Sequence, residues 1–323
     1  MTDSTVLDQI ANVGILPVIK IDDADTAIDL ATALRAGGIN AIEVTVRNET
    51  AFQSISKISD VFPDMLVGAG TITNVELAKQ AVEAGAKFIV SPGFHEQTVA
   101  YCVSVGMPIV PGCVTPSEIQ AAQEAGLTTV KFFPAGKYGG VATIKDLSGP
   151  FSNMRFVPTG GIGFDDLEDY LCCDAVAAVG GSFMAKSDVI ARHEWDTITE
   201  NCRKCIQYAL GFELAHIGIN CSDKNDAIAK AEALNHAFPL GVKVGNGKSS
   251  FLGSAVELMH IPYYGTNGHI GFKTNSCERA KAYFEKQGLE IIEDSLSYNA
   301  KGVLNFFYLK DEIGGFALHV VKK

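Results

Sequence analysis

The chain has 323 residues, 47% of them hydrophobic and 20% charged, with a formal net charge of −11. That balance argues against a membrane-embedded protein and offers no basic surface to nucleic acid or anionic lipid, while the length allows one large domain and a smaller one. Any anionic ligand has to be held by a specific pocket.

The N-terminus, MTDSTVLDQIANVG, lacks the basic start and long apolar run of a signal peptide. No apolar stretch approaches the roughly 18–20 residues of a spanning helix, so a cytoplasmic protein free of membrane is expected. From residue 14 to about 210, short apolar runs alternate with segments of helical period. The runs are GILPVIKI, AIEVTV, LVGAG, FIVSPG, PIVPGC, TTVKFFP, RFVPTGG and AVAAVGGS. Each is followed by a helix-like segment such as ADTAIDLATALRAGG, and several of these stop at glycine, as at Gly38, Gly85, Gly106 and Gly126. The pattern predicts an α/β fold, a (β/α)8 TIM barrel over residues 1–210. A doubly wound open sheet is the alternative, but no Gly-rich dinucleotide fingerprint follows the first strand.

The active site of such a barrel lies at the carboxyl ends of its strands. Lys131 comes late in the sixth run, among apolar residues, where burial favours a neutral, nucleophilic amine; a lysine that snorkels to solvent is the bland alternative. In the second run Glu43, Thr45 and Arg47 alternate onto one face. There a carboxylate can shuttle protons and a guanidinium can clasp a substrate carboxylate, although a structural ion pair fits the spacing equally well. Gly160-Gly161 and Gly180-Gly181-Ser182 close the seventh and eighth runs, the usual place for a phosphate in this fold, where backbone N–H groups can approach an anion.

IEVTVRN, VGAGTI, FIVSPG, VKFFPA and VPTGGI, in this order and spacing, resemble the 2-keto-3-deoxy-6-phosphogluconate and 4-hydroxy-2-oxoglutarate aldolase family. The resemblance implies a metal-independent class I aldolase without cofactor, working through a covalent lysine imine on a small keto-acid substrate, as a homotrimer. By motif, Lys131 is the implied Schiff-base residue and Glu43 the acid/base. Arg47 and Thr71 are the implied pyruvate-carboxylate pair, Pro92 and Phe133 the pocket walls, and Thr159, Gly160, Gly161, Gly181 and Ser182 the far anion site. Two positions depart from the pattern: Asn48 replaces the usual threonine, and Lys20 stands in the first strand where an apolar residue is usual. A keto-acid sensor and a phosphate-binding isomerase lacking an imine are the rival readings.

After residue 210 the pattern changes. HIGINCSDKNDAIAKAEALNHAF and HIGFKTNSCERAKAYFEKQGLEI each read as strand then helix, followed by VKVGN, SSFLGS and AVELMHI in one case and LEIIEDS, VLNFFYL and FALHVV in the other. Two β-α-β-β-β modules are thus expected to form a smaller α+β domain over residues 211–323. The paired module resembles the vicinal-oxygen-chelate (glyoxalase/dioxygenase) superfamily, which implies a possible divalent metal on His216, Glu257, His269 and His319. By strand position Ala317 matches Glu257 best, with His319 two residues further on the same face; a domain that only pads or oligomerises the enzyme is the bland alternative. The eight cysteines are read as reduced packing residues, since the Cys202-x-x-Cys205 pair falls in a helix and not after a strand.

Overall fold

Alternation along two short strands explains how charged groups come to lie inside the first unit. In Ala41–Thr45, Ile42 and Val44 point outward into a core covered by helices, which leaves Ala41, Glu43 and Thr45 on the opposite face. Thr129–Phe132 repeats the pattern, with Val130 and Phe132 outward and Thr129 and Lys131 on the other side.

A computed structural model describes residues 5–323, in two units, Met1–Ala209 and Leu210–Lys323. The first unit carries parallel strands β1 (Ile15–Ile19), β2 (Ala41–Thr45), β3 (Leu66–Gly70), β4 (Phe88–Val90), β5 (Ile109–Val110), β6 (Thr129–Phe132), β7 (Arg155–Pro158) and β8 (Val179–Gly181). Six pair in the order β5-β4-β3-β2-β1-β8, and β6 pairs with β7. Isolated parallel bridges from Gly112 to Lys131, Phe156 to Val176 and Thr159 to Gly180 close the ring into a (β/α)8 barrel.

Leu16, Leu66, Phe88, Val90, Val110 and Val157 fill the barrel, joined by Ile10 and Ala11 of the helix Val6–Val13. Each such fully buried side chain contributes about 1.5–3 kcal/mol of transfer free energy. A Cβ on Gly68 would lie 2.2 Å from the Phe88 ring, so the glycine in β3 is what admits the phenylalanine. The helix Val6–Val13 opens on a capping box between Thr5 and Asp8, and Asp8 also pairs with Arg155 at the start of β7, at 2.8 Å. That plug sits at the amino ends of the strands and leaves their carboxyl ends for chemistry. Gly85 and Gly126, just after two outer helices, hold φ of 86° and 80°, the left-handed turn that ends a helix and sends the chain back to the next strand.

The second unit is one eight-stranded sheet of two modules. The first has β9 (Glu213–Asn220), the helix Lys224–Ala237, β10 (Val242–Lys243), β11 (Ser249–Leu252) and β12 (Val256–Met259). The second has β13 (Gly268–Thr274), the helix Cys277–Lys286, β14 (Ser297–Tyr298), β15 (Leu304–Ile313) and β16 (Phe316–Lys322). The sheet order is β10-β11-β12-β9-β13-β16-β15-β14, so the modules meet where β9 and β13 pair antiparallel. LEIIEDS is not the expected strand. It keeps one bridge, Ile291 to Leu309, then turns through the short helix Glu293–Ser295, and the edge strand begins at Ser297.

The register corrects the matching of Ala317 to Glu257. In the first module Glu257 pairs with Gly218, two residues after His216; in the second His319 pairs with Gly271, two residues after His269. His319 is therefore the counterpart of Glu257, and Ala317 lies opposite His269 itself. A two-residue slip leaves a side chain on the same face, so face alternation could not distinguish the two; only the hydrogen-bond register does.

Candidate active site and a candidate metal centre

Inside the barrel, Lys131 Nζ donates to Glu43 Oε1 at 3.2 Å, across 88 positions of sequence, and the two residues are 7% and 1% exposed. The lysine is thus buried, as the strand predicted, and does not snorkel out. Its backbone is fixed on both sides, by the N–H donating to the Pro111 carbonyl at 2.8 Å and the carbonyl accepting from Cys113 at 2.9 Å. Its amine lies 5.5 Å from the centre of the Phe133 ring.

Space for the carboxylate comes from the neighbouring strand. A Cβ on Gly70, which pairs with Thr45, would fall 2.2 Å from Glu43 Oε1. Sequence reading did not single out Gly70, although the small-residue run VGAG was its signal. Two residues past Thr45, Arg47 Nε donates to Thr71 Oγ1 at 3.3 Å. Thr71 holds φ of 63°, a left-handed conformation that a β-branched residue rarely adopts and that a structure retains where it aims a group. The Pro92 carbonyl stands 2.1 Å from where a Cβ on Gly112 would lie, and Gly112 bridges to Lys131.

The expected anion loops line a cavity of about 800 Å³ that also includes Thr45 and Arg47. Thr159, Gly160, Gly161, Gly181 and Ser182 all contribute to its wall. Gly160 and Gly161 hold φ of 88° and 74°, which turns this loop through a conformation that glycine tolerates. Lys20 and Lys186 line the same cavity. Lys20 pairs with Asp22 at 2.5 Å, and this hydrogen bond is the main reason the Asp22 carboxyl is held below its usual range.

In the second unit the three candidate histidines cluster, and Glu257 stands beside two of them. His216 Nε2 lies 3.0 Å from His269 Nε2 and 3.2 Å from His319 Nε2. Glu257 Oε2 lies 3.1 Å from His269 Nε2 and 3.3 Å from His216 Nε2. Nitrogen and oxygen ligands bound at roughly 2.0–2.2 Å stand about 3.0–3.5 Å from one another, so the donor set fits a divalent metal. Burial alone would raise the Glu257 carboxyl, yet hydrogen bonds with His216, His269 and Ser249 hold it well below its usual range. Burial, then the neighbouring His269 and His216, lowers His319 to about 3 and keeps it a neutral donor.

Two glycines that sequence reading passed over admit these rings. A Cβ on Gly218 would meet the His269 ring at 2.1 Å, and one on Gly271 the His319 ring at 2.6 Å. Among the described residues the buried Nδ1 atoms of His269 and His319 have no hydrogen-bond partner, so neither ring has the outer-shell acceptor that usually orients a metal-bound imidazole. The Tyr308 ring lies against both, and the Phe306 ring against His319.

Comparison with known proteins bears on the first unit. The family model described as KDPG and KHG aldolase matches residues 6–201. A 2-dehydro-3-deoxy-phosphogluconate aldolase of Treponema pallidum is 41% identical over 203 residues, 63% of this chain and 97% of that protein. The KHG/KDPG aldolase of Escherichia coli K12 is 38% identical over 195 residues, 60% of this chain and 92% of its own length. The crystal structure of the KDPG aldolase of Legionella pneumophila, with pyruvate captured as a covalent carbinolamine, is 37% identical with a TM-score of 0.60, covering 61% of this chain and 96% of that one. The family model spans well over half of the sequence, and this chain belongs to the KDPG and KHG aldolase family.

Proposed function

We infer that the first unit is a class I aldolase that splits a 2-keto-4-hydroxy acid into pyruvate and an aldehyde. The candidate substrates are 2-keto-3-deoxy-6-phosphogluconate, giving glyceraldehyde 3-phosphate, and 4-hydroxy-2-oxoglutarate, giving glyoxylate. The observation that carries this reading is the buried contact of Lys131 with Glu43 at 3.2 Å, because binding alone needs no amine beside a carboxylate. Lys131 attacks the C2 ketone, and loss of water gives a protonated imine. Glu43 takes the proton of the C4 hydroxyl, directly or through a water, the C3–C4 electrons flow into the imine, and the aldehyde leaves. The enamine gains a proton at C3, and hydrolysis frees pyruvate and the amine. Arg47 and Thr71 hold the carboxylate, and the Gly160 and Gly181 loops receive the far anion.

Pyruvate with borohydride, followed by peptide mapping, tests the assignment: a reduced adduct on Lys131 is expected, and no adduct, or one confined to Lys20, overturns it. The family resemblance also carries a homotrimer and a cytoplasmic location as readings, and sedimentation checks the first. Among the described residues no helix is long and apolar enough to cross a membrane.

For residues 211–323 the reading is a glyoxalase-like unit binding a divalent metal through His216, Glu257, His269 and His319, favoured by the clustering of the three histidines and by Glu257 standing beside two of them. When bound, such an ion acts as a Lewis acid towards a ligand oxygen. With Glu257 as its one anionic ligand a divalent ion would keep a net positive charge, and the Tyr308 and Phe306 rings pack against His319. Metal analysis of the full chain together with thermal unfolding tests it; no bound metal and no rise in Tm with added divalent ions would refute the site.

A further inference from the structure

The two positions at which the barrel departs from the aldolase pattern meet on one carboxylate. Lys20 Nζ lies 2.5 Å from Asp22 Oδ1, and Asn48 Nδ2 donates to the same oxygen at 3.3 Å. Asn48 Nδ2 also donates to the Ile21 carbonyl at 2.8 Å, and Thr50 Oγ1 to that carbonyl at 2.7 Å. The loop carrying Asp22 is therefore pinned to the segment after β2 by Asn48, while the lysine is held only by an exposed ion pair, 43% and 63% accessible on its two sides. Such a pair is weak and readily exchanged for a better acceptor.

Register shows what Lys20 can reach. Along β1, Pro17 lies opposite Gly181 of β8 and Val18 opposite Glu43 of β2. The end of β1 thus stands between the carboxylate-binding side and the far anion loops, and Lys20 lines the cavity that both share. Among the described residues three cations, Lys20, Arg47 and Lys186, line this cavity, and no aspartate or glutamate does. Arg47 is committed to the carboxylate that every substrate of this chemistry carries, which leaves two amines for the other end. An independent sign of a ligand is Thr45, 3% exposed and on the cavity wall, whose Oγ1 has no hydrogen-bond partner. A buried hydroxyl without a partner is costly unless a ligand group or water meets it.

We propose that Lys20 is a specificity-determining residue: it leaves Asp22 to pair with the distal anion of the substrate, and so selects a dianionic phosphate end over a carboxylate end. Asn48 and Asp22 position it, and Thr45 meets a hydroxyl of the chain between the two anions. The inference rests on the aldolase reading and names the substrate class within it.

The test uses the full chain, with Lys20→Met and Asp22→Asn, and 2-keto-3-deoxy-6-phosphogluconate and 4-hydroxy-2-oxoglutarate as substrates. Lys20→Met is expected to lower kcat/KM for the phosphorylated substrate about tenfold, the loss of one hydrogen bond to a charged group, chiefly through KM, and to lower that for the dicarboxylate much less. Asp22→Asn frees the lysine and is expected to lower KM for the phosphorylated substrate about two- to fivefold, the worth of one exposed ion pair. A merely structural role for Lys20 would instead weaken both substrates in both variants. Equal losses on the two substrates, no loss on the phosphorylated one, or disappearance of the borohydride adduct from Lys131 in Lys20→Met would each overturn the proposal. Failure of the unsubstituted protein to form that adduct would overturn the aldolase reading, and this inference with it.

Discussion

The barrel and the second unit both bury charged or chargeable groups, and they do so in opposite ways. In the barrel an amine donor meets a carboxylate acceptor, Lys131 with Glu43 at 3.2 Å, so one hydrogen bond satisfies the buried pair. In the second unit His216 Nε2 lies 3.0–3.3 Å from His269 Nε2, His319 Nε2 and Glu257 Oε2, and Glu257 also lies 3.1 Å from His269 Nε2. Two imidazoles can share one proton, but lone pairs aimed together at one point are best satisfied by a cation between them. The comparison separates covalent chemistry, which needs a donor beside an acceptor, from coordination, which needs donors alone.

The largest effect that sharpens this contrast is Lys131→Ala, expected to lower turnover roughly 10⁴-fold or more, the scale at which loss of a nucleophile is felt. Near-normal turnover in a steady-state assay would break the covalent reading. Glu43→Gln should follow, with a loss of about 10²- to 10⁴-fold in kcat, the range of one general acid–base contribution. Gly70→Ala should push the carboxylate aside and cost about 1–3 kcal/mol by overpacking, seen as a fall in both Tm and kcat. For the second unit, saturating divalent metal at about 100 times its Kd should stabilise the unfolding transition by about 2.7 kcal/mol, and His269→Ala should erase that gain while the pyruvate adduct on Lys131 persists in chelator. Loss of the adduct in chelator would collapse the distinction between the two regions. The smallest effect is Thr115→Ala, which removes the capping box of the helix Pro116–Glu124 and should cost about 1 kcal/mol in denaturant unfolding without touching kcat.

Much of the barrel was legible because its signals are local. A period of two in the strands, helical period between them and glycine stops are each written within a dozen residues, and Lys131 and Glu43 stand out as charges inside apolar runs. That the loops at Gly160 and Gly181 line a cavity was legible for the same reason, since tight turns leave glycine in the sequence. Gly70 and the role of Asp22 were not, because Gly70 makes room for Glu43 of the neighbouring strand and Asp22 accepts from Asn48, 26 positions away. The sequence determined which residues carry charge and which face of each strand they take. Tertiary structure decided their partners: the strand register made His319 and not Ala317 the counterpart of Glu257, the ring of strands brought Lys131 to Glu43, and Asp22 gathered Lys20 and Asn48. The reason is physical. Periodicity sets the face of a strand locally, whereas register and closure depend on hydrogen bonds between segments distant in sequence.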